Sequence, residues 1–286
     1  MGVSRAQESL RAPGGAAGRA AGREPAAPPR GPAPGPRDLR ALARGAASVL
    51  ALVLVWGLLA WALGDPQRAP GPQQVLPALW QGLVSGAMLP DLGATLRRVG
   101  LSFILAMGLG TAAGIALGLA PRLDRWLDPW LTVFNNIPAL VTVVLCYLWI
   151  GLNETAAIAA VALNKVPLVT IMLREGVRVL DPGLSEMARI HRMGLGARLR
   201  HIILPQIAPH LAGAARAGLA LIWKIVLVVE FLGRSSGVGF RIHLDFQMFD
   251  ITGVLANALA FVAVMLAIEW AVLGPLARRA ARWRAP

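Results

Sequence analysis

The sequence predicts an all-α, polytopic membrane protein with six transmembrane helices. Composition is the first sign: 56% of the 286 residues are hydrophobic and only 15% charged. The mean hydropathy of +0.59 exceeds what a water-soluble domain of this length shows. The second sign is six apolar runs, each close to the ~20 residues that a helix needs to cross a bilayer. The third is that the connections between them alternate between arginine-rich and arginine-poor.

Residues 1–45 are dominated by Ala, Pro, Gly and Arg, as in AAPPRGPAPGPR. They hold too few large apolar side chains to offset the entropy of ordering, so a disordered cytoplasmic tail is expected there. The first run, 46–64, contains Ala60-Trp61-Ala62, a signal-peptidase-like pattern. The long basic region ahead of it and its spanning length favour a retained anchor. Further spans are expected at 96–120, 129–151, 155–173, 208–231 and 251–275, giving a transmembrane domain over 46–276 and a short cytoplasmic tail, 277–286.

Arginine concentrates in the N-terminal tail, in PRLDRWLD, between Arg174 and His201, and in the closing ARRAARWR. Basic residues near span ends favour the cytoplasm, which places both termini and the long loop inside. The net charge of +13 is therefore topological. It is not laid out in stripes interleaved with aromatics, so lipid rather than nucleic acid is the expected surroundings. Arg97 and Arg98 break the pattern by opening the second span on the outer side. Either they approach the membrane amphipathically with snorkelling heads, or they line a cavity.

Within the spans, Gly110, Gly114 and Gly118, preceded by Ala106, repeat every four positions. That spacing puts small residues on one helical face and lets another backbone come close. The lone cysteine, Cys146, lies in an apolar run and is expected to pack. Lys165 and Lys224 sit inside the fourth and fifth spans, where an ammonium costs roughly 3 kcal/mol and normally meets a partner, a cavity or a pathway. Lys165, Lys224 and the amides Asn135 and Asn136 are candidate path-lining groups. Interhelical pairing or snorkelling is the competing reading for the lysines, and bonding across helices is the favoured one for Asn135, Asn136, Asn164 and Asn257 alike. Glu230 has Arg234 at i+4 as its expected partner.

No catalytic pattern appears. A phosphate-binding loop needs Gly-Lys followed by Ser or Thr, and neither lysine, in LNKVP or LIWKIV, has that context. There is no H-E-x-x-H and no nucleophile elbow. Histidines 191, 201, 210 and 243 are expected at the surface.

The loop at 181–205 carries the most specific signal. Asp181-Pro182 reads as an N-cap followed by proline at the first helical position, with Glu186 close to the positive helix end. A short helix is expected to His191, broken by Gly194 and Gly196, with a second one through RLRHIIL leading to Pro205 and Pro209.

Glu186, Ala188, Ile202, Leu204 and Pro205 have a spacing that resembles the cytoplasmic "EAA" loop of the membrane subunits of ATP-binding-cassette importers. FNNIPAL, WIGLNE, LDPGLSEMAR and WKIVLVVEFLGRSSGVGF make most of residues 75–283 similar to the branch that imports nitrate, sulfonates and taurine. The resemblance implies a type I importer permease whose loop forms a coupling helix on a separate ATPase. It also implies a homodimer of permeases, two ATPase subunits holding ATP and magnesium, and a periplasmic solute-binding protein, all at the bacterial inner membrane. This chain itself is expected to bind no cofactor and no metal and to be a transport subunit, not an enzyme. Met187 stands where the family has a second alanine, and Arg192 where it has glycine, so the bend is expected two residues later. A permease for a neutral heterocycle or vitamin precursor is the alternative. A secondary transporter is disfavoured by the lack of an internal repeat, and an intramembrane enzyme by the lack of a nucleophile and base.

Overall fold

The computed structural model describes residues 36–275, and every regular element among them is helical. The chain divides into two units, residues 1–51 and 52–286. Most of the expected N-terminal tail, and the expected C-terminal tail, lie outside the described residues. Helix α1, Pro36–Leu63, begins well before the span expected from 46. It is followed by α2, Pro72–Val84, a helix with no counterpart in the sequence expectation.

Four helical stretches are long and apolar enough to cross a membrane. They are α3 (Leu89–Leu119), α6 (Glu154–Arg178), the continuous run Leu195–Gly233, and Ile251–Ala271, which contains α11 (Ile251–Ile268) and part of the π turn Glu269–Leu273. The third expected span, 129–151, is instead two helices, α4 (Pro121–Asn136) and α5 (Ala139–Ile150), bent by 93°. The cause is local. Ile137 precedes Pro138, which disfavours helical geometry at residue 137, and it adopts φ −66°, ψ 124°. The apolar part of α1, Ala47–Leu63, is shorter than a full span.

α3, α6 and α9 (Leu204–Gly233) pack together. A Cβ on Gly110 would lie 2.6 Å from Val169 Cβ; on Gly114, 2.8 Å from the Thr170 carbonyl oxygen; on Gly118, 3.2 Å from that of Arg174. The glycine face of α3 thus lies against the α6 backbone and the first side-chain carbons of Val169, Leu173 and Val177, where dispersion contacts accumulate.

Charged clusters close both ends of α6. At its N-terminus, Arg98 is 1% exposed and donates to both Glu154 oxygens, at 3.1 and 3.2 Å from Nε. It also donates to Glu230 Oε1 at 2.6 Å and to the Ser236 carbonyl at 2.7 Å. Glu230, fully buried, accepts in addition from Thr95 Oγ1 and the Gly239 amide, each at 2.9 Å. Arg98 therefore neither snorkels nor lines an open cavity, because α3 starts at Leu89 and carries it into the bundle. The expected Glu230–Arg234 pair does not form: Arg234 bonds Glu154 at 2.9 Å. At the other end, Arg174 joins Asp124 at 2.9 Å and Asp128 at 2.5 Å, and Arg178 pairs with Asp124.

The loop after α9 is shaped by the same acid. Gly237 has φ +107°, and a Cβ there would meet the Glu230 carboxylate at 2.4 Å. A Cβ on Gly239 would lie 2.3 Å from the Leu227 carbonyl oxygen. Helix α10, Val238–Gln247, follows. Its Asp245 accepts from Asn257 at 2.8 Å, so this asparagine bonds between α10 and α11. Burial pushes the Asp245 carboxyl above the usual carboxylate range, and Asp250 adds to the rise while Asn257 and Arg241 oppose it. Two of the four histidines are half-buried and not at the surface: His210 packs on Gly176, and His243 meets Phe231 edge-on at 4.6 Å.

Two pairs of variants test this core. Glu230→Ala leaves Arg98 without its buried partner and is expected to cost about 3–5 kcal/mol, whereas Arg97→Ala, at a pair whose arginine is 61% exposed, should cost about 1 kcal/mol or less. Melting of the detergent-solubilised protein measures both. Gly114→Val should abolish monodisperse protein, while Gly100→Ala, which meets nothing within 4 Å, should leave it unchanged in size-exclusion chromatography.

Candidate functional site

The loop at the C-terminal end of α6 builds the candidate site. Asp181 caps α7, Pro182–Ile190, by accepting from the Gly183 amide at 2.7 Å. It also ties α7 to α9, because its own amide donates to Gln206 Oε1 at 2.9 Å. Leu184, Met187 and Ile190 project from α7, 39%, 41% and 77% exposed, while Ala188 is buried. These spacings form an apolar stripe along one side of the helix, with the exposed Glu186 beside it.

The end of α7 corrects the sequence expectation. Met193 donates to the Ala188 carbonyl at 2.9 Å and Arg192 to that of Arg189 at 3.1 Å, the paired bonds of a Schellman termination. Its left-handed residue is Arg192, at φ +51°. The bend thus stays at Arg192 and is not displaced. Gly194 has φ −64° and serves as the N-cap of α8, Leu195–Arg198. A Cβ on Gly194 or Gly196 would meet nothing within 4 Å.

The second expected short helix also differs. RLRHIIL is not separate but leads directly into α9 through a π turn, Leu199–Ile203, in which Leu204 donates to the Leu199 carbonyl. Pro205 has no N–H and its ring clashes with the carbonyl four residues back; widening the turn relieves that conflict. Ile202 is buried beneath the loop, and Leu204 and Pro205 are exposed.

A hollow of about 440 Å³ lies between α7 and α8, lined by Ser185, Glu186, Arg189, Arg192, Met193 and Arg198 among others. Among the described residues, Glu186, Arg189, Arg192, Arg198 and Arg200 make no ion pair within the chain. Arg198 Nε is buried without a hydrogen-bond partner. The arginines at the ends of α6, by contrast, are all paired.

The membrane candidates lie elsewhere. Asn135 and Asn136 are exposed at the α4–α5 break, and Asn136 donates to the Thr132 carbonyl at 2.7 Å. Next to the break is a cavity of about 390 Å³, lined mainly by apolar groups including Phe134, Cys146, Trp149 and Pro167. Asn164 opens onto it with only long bonds, 3.4 Å to Thr142 Oγ1 and 3.5 Å to the Ile137 carbonyl. Lys165 is half-buried and Lys224 exposed, and neither makes an ion pair among the described residues.

Comparison with known proteins decides the family. Residues 106–274 match the binding-protein-dependent transport system inner membrane component family. The chain belongs to this family. A Bacillus subtilis protein named as an aliphatic sulfonates transport permease, SsuC, is 30% identical over 75% of the chain and 78% of its own length. The taurine transport system permease TauC of Escherichia coli is 28% identical over 85% and 89%. The riboflavin transport system permease RibX of Chloroflexus aurantiacus is 31% identical over 85% and 91%. The fold matches a methionine ABC transporter, MetNI, in an inward-facing form, with TM-score 0.58, 18% identity, and coverage of 71% of this chain and 98% of that one. This permease is accordingly an integral inner-membrane transport subunit, not an enzyme.

Sequence reasoning overlooked charged residues inside two of the apolar runs, Arg216 in the fifth and Glu269 in the sixth. Arg216 lies inside the fifth apolar run, is exposed and makes no ion pair among the described residues; its charge within that run was the readable signal. The Arg98–Glu154–Glu230 grouping had no such signal, because its members come from helices far apart in sequence.

Arg192→Gly should remove the cost of the left-handed backbone, about 1 kcal/mol, and slow hydrogen exchange of the α7 amides in the permease. Gly194→Ala should leave that exchange unchanged.

Proposed function

We propose that this chain is the membrane-spanning subunit of an ATP-driven importer for a small anionic solute of the sulfonate, taurine or nitrate class. It works as a homodimer with two ATPase subunits, which hold ATP and magnesium, and receives the solute from a periplasmic binding protein. Six spans, counting α1 and the bent α4–α5 pair, put both termini in the cytoplasm. α7 is the coupling helix.

The observation that carries this reading is the exposed α7 stripe, Leu184, Met187 and Ile190, flanked by unpaired Glu186, Arg189 and Arg192 in a family member with no phosphate-binding loop of its own. An apolar face edged by free charges fits a protein groove that supplies the missing partners. Nucleotide-driven closure of the ATPases would then move α7, and through Asp181–Gln206 and the α6 end, the helices α6 and α9. Lys165, Lys224, Asn135 and Asn136 are assigned to the path. The relatives named for sulfonates and taurine favour the anionic solute, and the relative named for riboflavin supports the second reading, a neutral heterocycle.

ATP-dependent uptake of taurine, ethanesulfonate, nitrate and riboflavin, compared with and without the chain, separates the two; loss of one anion alone is expected, and loss of riboflavin alone would reject the anionic reading. Glu186→Lys is expected to lower uptake at least about tenfold, the effect of losing about 1.4 kcal/mol of coupling, with unchanged abundance in the membrane. Full uptake in that variant would remove α7 from the coupling role.

A further inference from the structure

The exposed face of α9 is a helical stripe. Gly213, Arg216, Ala220 and Lys224 are all exposed, whereas Ala214, Gly218, Ile222, Ile225, Val226 and Val229 on the opposite side are buried. Arg216 and Lys224 therefore share one face, eight residues or ~12 Å apart along the axis. Each also lies well away from the ends of α9. Six residues, ~9 Å, separate Lys224 from Glu230 in the buried cluster at one end. Six more separate Arg216 from His210, which packs on Gly176 near the other end of α6.

Contacts between α6 and α9 set the level of Lys165 along α9. Gly213 lies 3.8 Å from Met172 Cε and Gly218 lies 3.9 Å from Val169 Cγ2, measured from the Cβ each would carry. The two helices thus run antiparallel with Met172 level with Gly213. Lys165 is seven residues before Met172, nearly two turns, and so on the same side of α6. The register puts Lys165 at the level of Ala220, between the levels of Arg216 and Lys224.

None of the three cations makes an ion pair among the described residues. Arg97, Arg98, Arg174, Arg178 and Arg234 all do. An unpaired cation at membrane depth faces water or a ligand, because lipid solvates it poorly. The small residues Gly213 and Ala220 leave room beside the charges.

We infer that Arg216, Lys165 and Lys224 form a cationic lane that binds the solute's anionic group during passage, with Arg216 as a specificity-determining residue. This rests on the importer reading and deepens it: the lane takes a sulfonate or similar compact oxyanion and disfavours a neutral heterocycle. Three separated sites of like charge suit conduction, since each holds the anion and none holds it alone.

The test uses the full transporter, with ATPases and binding protein, in proteoliposomes. In a Cys146→Ala background, Arg216→Cys and, separately, Lys224→Cys are treated with membrane-impermeant anionic and cationic methanethiosulfonate reagents. The remaining two cations should make the anionic reagent at least about tenfold faster than the cationic one, relative to a free thiol, and ethanesulfonate should slow it. No reaction with either reagent, as for a lipid-facing or snorkelling site, or equal rates for both, overturns the lane. ATP-driven uptake by the wild type, of ethanesulfonate or of riboflavin, is measured in the same vesicles. Uptake with an unreactive or charge-blind lane leaves the importer reading standing and rejects only the lane. Uptake of neither solute, in vesicles where the thiols show the expected charge preference, rejects the importer reading and not the lane. Arg216→Lys should keep uptake and Arg216→Met should lose it with ATP hydrolysis retained; full uptake by Arg216→Met rejects the residue's role.

Discussion

A guanidinium and a carboxylate, Arg98 and Glu230, meet at 2.6 Å with almost no exposure to water. Taking two such ions out of water costs several kcal/mol each, and their attraction repays it only when every remaining donor and acceptor is met. Here that condition places many parts of the chain at once. Glu154 must begin α6 against α3, Ser236 must offer both its carbonyl and its hydroxyl to Arg98, and Thr95 and Gly239 must complete the Glu230 carboxylate. The loop after α9 can close this tightly only because glycines stand where any Cβ would strike the acid or the α9 backbone.

The other end of α6 has a different character. Arg174 and Arg178 fasten it to Asp124 and Asp128 of α4, and the chain then leaves directly into α7. A displacement of α7 consequently reaches α6 through the short connection Val179–Asp181 and α9 through Gln206. The bundle is held firmly at one end by a buried cluster and presents unsatisfied charge at the other.

Much of this was legible in the residues. The Asp181-Pro182 start of α7 follows from capping chemistry, and the close α3–α6 approach from glycines every four positions. The apolar runs at 155–173 and 251–275 coincide with helices, because long hydrophobic stretches admit few alternatives in lipid. The reading failed where a local rule competed with a wider one. Apolar content across 129–151 suggested one span, but Pro138 breaks it. Arg192 was expected to pass the bend to the glycines after it, yet the hydrogen bonds of the helix end hold that bend in place and a non-glycine residue accepts the left-handed backbone.

By itself the sequence determined the class of environment and the existence of the loop, since hydropathy, charge alternation and capping act over a few residues and need no partner. Only the tertiary structure decided which charges pair. Glu230 has Arg234 one turn away and bonds Arg98 instead, because desolvation rewards the partner that the fold can bury with it. The same selection leaves Arg216, Lys165 and Lys224 without an acid partner among the described residues. The level of Lys165, between those of Arg216 and Lys224, follows from the antiparallel register of α6 and α9, a relation between residues about fifty positions apart that no local pattern encodes.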